Sequence, residues 1–159
     1  MNEKVIEDPH SDYVKENYFD AHEVAKLDPE YKFAGRCFNT GQIIAISGKI
    51  SRDNFNDFVE WSEPPKVKYP RIFSCGEQGL LNYILAKKQQ AGHVSVRYTK
   101  FMRWARSEKC QEFQLPIIEN KAGYPFIIHW AGFKTPHMLK KMKRFDILNF
   151  YNDFYCSKL

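Results

Sequence analysis

Three short stretches hold residue types that could do polar chemistry: FNTG at 38–41, GEQGLLNYIL at 76–85 and HWAGFK at 129–134. The third ends an apolar run, IIHWAG, on His129, with Gly132 and Lys134 just beyond it. An imidazole at the end of a strand either closes a core or stands as a ligand at the edge of an active site. The second stretch opens on an acid–amide pair, Glu77 and Gln78, at the start of a helical pattern. The first places Asn39, Thr40 and Gly41 at a turn. Each also has an ordinary structural reading. Asn-Thr-Gly is a turn or bulge, Ser74 and Glu77 have S-x-x-E capping-box spacing, and Gln78 suits a solvated first turn.

The elements that would position these residues follow from periodicity. CFNTGQIIAIS reads as a strand carried by Ile43, Ile44 and Ile46, with Gly41 interrupting it. SCGEQGLLNYILAKKQQAGH is the strongest helix. Leu80, Leu81, Ile84 and Leu85 form its buried stripe, Lys87 and Lys88 suit its last turn, and Gly92 suits its end. HVSVRYTKFMRW alternates as a strand does, and YPFIIHW reads as a buried strand. SRDNFNDFVEWS predicts a short helix with Phe55, Phe58 and Val59 on one face. EPPKVKYP predicts an irregular loop because its prolines disfavour helix and central strand. A long amphipathic helix is expected from Pro136 to Tyr155, using Met138, Leu139, Met142, Phe145, Leu148 and Phe154. Residues 1–35 read as a polar lead-in, with a helical piece near Ala21–Leu27 stopped by Pro29. The expected fold class is α/β, a mixed sheet with flanking helices, with residues 36–159 as its main domain.

Composition bounds the function. The chain has 159 residues, 43% hydrophobic and 16% aromatic, which suits a packed core and not disorder. No apolar run approaches the roughly 20 residues of a membrane helix. The charged N-terminus lacks the apolar core of a signal peptide, so a cytoplasmic protein without a transmembrane segment is expected. Cys37, Cys75, Cys110 and Cys156 form no C-x-x-C, and free, mostly buried thiols are expected. The net charge of +5 suits an anionic partner. The one dense basic stretch, 134–144, is interleaved with apolar residues and has no nucleic-acid-binding signature around it, so no nucleic-acid partner is expected.

The order F-N-[ST]-G, then an acid-Gln-x-x-L-N helix start, then H-[FW]-x-G with a following lysine and proline, resembles the C-terminal half of retaining GT-A glycosyltransferases. The nearest group is glycosyltransferase family 8, the glycogenin-like and galactosyltransferase-like enzymes, and the resemblance covers about 36–135. It implies the acceptor-side half of a nucleotide-diphospho-sugar transferase fold. It also implies transfer of a sugar from a nucleotide donor, such as a UDP-sugar, to the hydroxyl of a glycan or lipid-linked sugar. By that resemblance His129 would be a metal ligand for Mn²⁺ or Mg²⁺, and Gly132 and Lys134 would meet the diphosphate. Asn39, Thr40 and Gly41 would line the sugar site, and Glu77 and Gln78 would act as the catalytic-side acid–amide pair.

This chain departs from the pattern in three ways. Lys134 stands five residues after the histidine, and Thr135 separates it from Pro136. The acid is Glu77 where the family has aspartate. The sequence also contains no D-x-D, the motif whose carboxylates hold the metal in the N-terminal half of that fold. A metal is therefore expected only where that half is supplied, by a longer polypeptide or a second chain, while a homo-oligomer would serve to cover the sheet edge that a half-domain leaves exposed. The competing expectation is a non-catalytic carbohydrate- or protein-interaction domain, with Trp61, Trp104 and Trp130 as candidate sugar platforms.

Overall fold

A computed structural model describes residues 2–41, 43–99, 102–104, 115–116, 127–129 and 144–158, with 2–5 and 102–104 described by their backbone. The chain forms two compact units, Met1–Thr99 and Lys100–Leu159. The described residues are mixed α/β, with four α-helices and short two-stranded sheets.

The first unit begins with β1 (Asn2–Val5), α1 (Asp12–Asn17) and α2 (Ala21–Leu27). The segment expected to be a polar lead-in is thus structured. It buries Ile6, Val14, Tyr18, Phe19 and Val24 in the core. Its apolar residues are sparse in sequence, but α1 and α2 each turn one inward. The α2 boundaries match the expectation: the Asp20 carboxylate accepts from the His22 and Glu23 amides at 3.1 and 3.3 Å, and the helix ends before Pro29.

β2 (Arg36–Asn39) pairs antiparallel with β1, Glu3 opposite Phe38. The expected strand stops there. Residues 43–46 are not in a ladder, and Ile44 and Ile46 are 87% and 76% exposed. β-branched propensity does not hold a strand without a neighbour to pair with. The expected helix at 51–62 is instead a 3₁₀ turn, Arg52–Phe55, followed by the two-residue strand β3 (Val59–Glu60). β3 pairs with β4 (Lys66–Val67), a two-residue strand inside the proline-rich loop. Phe55, Phe58 and Val59 still pack on the core, so the apolar face is correct although the helix is not.

α3 (Glu77–Gln90) is the long helix of this unit. Gly92, at φ 73°, ends it: its N–H donates to the Gln89 carbonyl at 3.0 Å, and His93 N–H donates to Lys88 at 2.8 Å. That is the Schellman arrangement. Burial is broader than a stripe. Leu80, Ile84 and Leu85 are buried, and so are Gly79, Asn82, Tyr83 and Ala86. The helix runs through the unit and not along its surface. Residues 93–98, expected to be a strand, are outside any ladder.

In the second unit β5 (Met102–Trp104) and β6 (Ile127–His129) pair in parallel, with Trp104 opposite His129. α4 (Phe145–Cys156) follows, with Ile147 buried. Of the helix expected over 136–155, α4 is the described part, and 136–143 lie outside the described residues. Arg144 takes a left-handed φ of 60°, which breaks any helical path into α4. Its guanidinium instead grips Asp146 through two bonds, at 3.0 and 2.7 Å. Met138, Leu139 and Met142 lie outside the described residues. Of the cysteines expected to be buried, Cys37 is buried, Cys75 is half-buried and Cys156 is exposed, while Cys110 lies outside the described residues. Burial pushes the Cys37 thiol up to about 12, so it is not a thiolate at neutral pH.

Candidate functional site

Two of the three sequence stretches meet. The Gln78 side-chain oxygen accepts from Asn39 Nδ2 at 3.0 Å and from the Thr40 amide at 3.3 Å. Asn39 Oδ1 in turn accepts from the Gly41 amide at 2.9 Å, which closes the FNTG turn on itself. Asn82, 5% exposed, binds the backbone of Phe38 at both ends. Its Oδ1 accepts from the Phe38 N–H and its Nδ2 donates to the Phe38 C=O, each at 2.9 Å. Those are the groups a third strand would have taken, so the amide closes the outer edge of β2.

The start of α3 is tied equally firmly to the end of α1. The last carbonyls of α1 lack helical partners. The Ser74 hydroxyl donates to Lys15 O, Cys75 Sγ to Glu16 O at 3.0 Å, and Gln78 Nε2 to Asn17 O at 2.8 Å. The expected Ser74–Glu77 capping box is therefore absent, since α3 begins after Gly76 at φ 53° with no side-chain cap. Ser74 closes the previous helix instead of opening its own. Gly79 completes the junction: a Cβ there would stand 1.8 Å from the Tyr18 carbonyl oxygen.

The chemical consequence is a division of labour. The Asn39 and Gln78 side chains are spent on one another and on the backbone, so their observed job is positioning. Glu77 is exposed, and its carboxylate has no partner among the described residues. It is the group at this junction that remains open to a ligand. Thr40 is half-buried and Gly41 exposed, on the same turn.

His129 closes β6, half-buried, in the second unit, as its position at the end of an apolar run led one to expect. Gly132, Lys134 and Trp130 lie outside the described residues. Among the described residues no three of His, Cys, Asp or Glu stand close enough to hold a metal ion. A lone imidazole is a poor site for Mn²⁺ or Mg²⁺, which take most of their ligands from oxygen. The described donor set therefore does not by itself fit the metal. Trp61, 42% exposed, is not a bare platform: the Arg52 guanidinium lies 4.3 Å from its ring centre, and its Nε1 donates to Asn56 at 2.8 Å.

Sequence reasoning missed Asn82, Gly79 and Ser74 as the residues that make the junction. Asn82 had a signal: a polar residue at a helical position between Leu81 and Ile84, on a face that must be buried. Gly79 had another, a glycine in the interior of a strong helix. No helix among the described residues is long and apolar enough to cross a membrane. Set against known proteins, the chain matches no family model, no curated protein and no solved structure.

Proposed function

We propose that this chain is the acceptor-side part of a nucleotide-diphospho-sugar transferase, a cytoplasmic enzyme of the GT-A kind. The observation that supports it is the junction at Gln78. It joins the FNTG turn to the start of α3 across 39 residues of sequence, so two of the three motif stretches form one polar surface. On this reading Asn39, Thr40 and Gly41 form the wall of the sugar site, Gln78 holds that wall in place, and the Glu77 carboxylate accepts from a sugar hydroxyl. His129, Gly132 and Lys134 are assigned to the diphosphate side by the resemblance. Mn²⁺ or Mg²⁺ would bind once D-x-D carboxylates are supplied, and its chemistry would be to neutralise the departing diphosphate.

The test is an amide-shift titration with UDP-galactose, UDP-glucose and UDP-N-acetylglucosamine, each with and without Mn²⁺. The expected result is that at least one shifts the amides of 39–41 and 77–78, and that Glu77→Gln weakens the effect about tenfold, the loss of one charged hydrogen bond. No shift at those residues with any donor at millimolar concentration would overturn the reading.

A second reading, a non-catalytic carbohydrate- or protein-interaction domain, is favoured by one observation. The polar atoms of Asn39 and Gln78 are already mutually satisfied. If Glu77→Gln and His129→Ala leave all measured binding intact, this second reading replaces the first.

A further inference from the structure

The opposite end of α3 carries a second feature. A cavity of about 450 Å³ opens there, between the end of α2, the 3₁₀ turn and the last two turns of α3. Nine residues of helix, about 13 Å, separate Gln78 from Lys87 at its rim, so it is distinct from the FNTG junction. Its size is that of a small-ligand pocket.

Its lining has a specific chemical character. Phe58, Tyr69 and Tyr83 supply aromatic surface, and Leu27 and Ile84 supply aliphatic surface. Phe58 is held edge-to-face against both tyrosines, with centroids 6.3 and 5.3 Å apart, so this surface is built and not loose. Asp28 is fully engaged. Oδ2 accepts from Tyr83 OH and from Lys87 Nζ, both at 2.7 Å, and Oδ1 accepts from the Glu30 amide at 3.2 Å. Four other polar groups at the cavity are not engaged. The Asp57 carboxylate, Lys88 Nζ, Tyr69 OH and Asn54 Nδ2 have no hydrogen-bond partner among the described residues.

Two acids and two lysines line the cavity, so its formal charge sums to zero. A phosphate or a cation would find no net attraction there. A flat apolar face beside a carboxylate, an ammonium, a phenol and an amide suits a ligand with one C–H face and several hydroxyls, each able to donate and accept. We propose that this cavity binds the neutral ring of a pyranose sugar, stacked on Tyr69 and hydrogen-bonded by Asp57, Asn54 and Lys88. The site stands whether or not the chain is part of a transferase.

The test is titration of the full chain with methyl α-D-glucopyranoside, methyl β-D-galactopyranoside and methyl α-D-mannopyranoside, read by amide shifts and saturation-transfer NMR. The expected result is saturable binding of at least one, with shifts at 54–58, 69 and 83–88 and saturation strongest on one C–H face of the sugar. Asp57→Ala and Tyr69→Leu, at exposed positions, should each weaken binding about tenfold. The map on the unaltered protein stands even if a variant fails to fold. Absence of pyranoside binding would overturn the proposal. Shifts confined to 39–41 and 77–78 would also overturn it, and would place the sugar at the other end of α3 in support of the transferase reading.

Discussion

Among the described residues, Asn82 is the polar side chain whose loss should cost most. It is buried and satisfies the N–H and the C=O of Phe38, and Nδ2 also reaches the Gln78 carbonyl at 2.8 Å. Asn82→Leu keeps the branched shape but strands both Phe38 groups away from water. We expect a loss of about 3 kcal/mol in urea unfolding, the penalty for burying two unpaired backbone groups. Gly79→Ala is expected to cost on the order of 3 kcal/mol by the same measurement. Its new Cβ would collide with a backbone carbonyl, which no side-chain rotation relieves. A glycine-to-alanine change inside a helix ordinarily stabilises by about 1 kcal/mol, so the sign alone is diagnostic.

At the scale of elements, the segments 43–46 and 93–98 have strand-like sequences but lie outside any ladder. Their parts 44–46 and 93–96, with Lys49, Ile50, Leu85 and Gly92, line a mostly apolar trough of about 320 Å³, and Ile44 and Ile46 are largely in water. Ile44→Lys and Ile46→Lys are therefore expected to change stability by less than about 0.5 kcal/mol, as exposed substitutions do. Were either side chain in a packed sheet, each would cost several times that. Gly92 belongs to the same scale. At φ 73° it carries the two Schellman bonds, and Gly92→Ala should cost about 1 kcal/mol, read from the urea midpoint.

For the whole molecule the informative variable is acid. Asp20 is held below the usual carboxylate range, first by its bond to Lys15 and then, against a desolvation cost, by the His22 and Glu23 amides. Asp28 is also lowered. Burial there pushes the carboxyl up, but Lys87 and Tyr83 together outweigh it. A depressed folded value means the contribution is complete above the unfolded value, about 3.9, and is lost as pH falls through the folded values. Stability from these groups should be level from about pH 5 upward and fall below about pH 4. Urea midpoints across pH 3 to 7 test it. In Asp28→Asn the neutral-pH midpoint should drop and the acid limb should flatten, because the variant no longer carries that proton-linked difference.

What the sequence determined by itself is local. α2 stops before Pro29, α3 ends through Gly92 with Lys87 and Lys88 in its last turn, and His129 closes a strand of β-branched residues. Each rests on neighbouring residues whose backbone preferences act over a turn or two. The mixed α/β class was legible for the same reason, and FNTG and GEQG were visible as residues. Their meeting was not. Gln78 finds Asn17 across 61 positions and Asn82 finds Phe38 across 44, and nothing within a few residues distinguishes a cap from a long-range clamp. Ser74 shows the ambiguity directly. Its hydroxyl suits the start of α3 by spacing, yet the unpaired carbonyl of Lys15 takes it. Ile44 and Ile46 show the converse, because strand propensity needs a partner strand that only tertiary structure supplies. Hydrogen-bond satisfaction is settled among all groups brought together in space, so only the folded chain decides which polar side chains hold the structure and which remain open to a ligand.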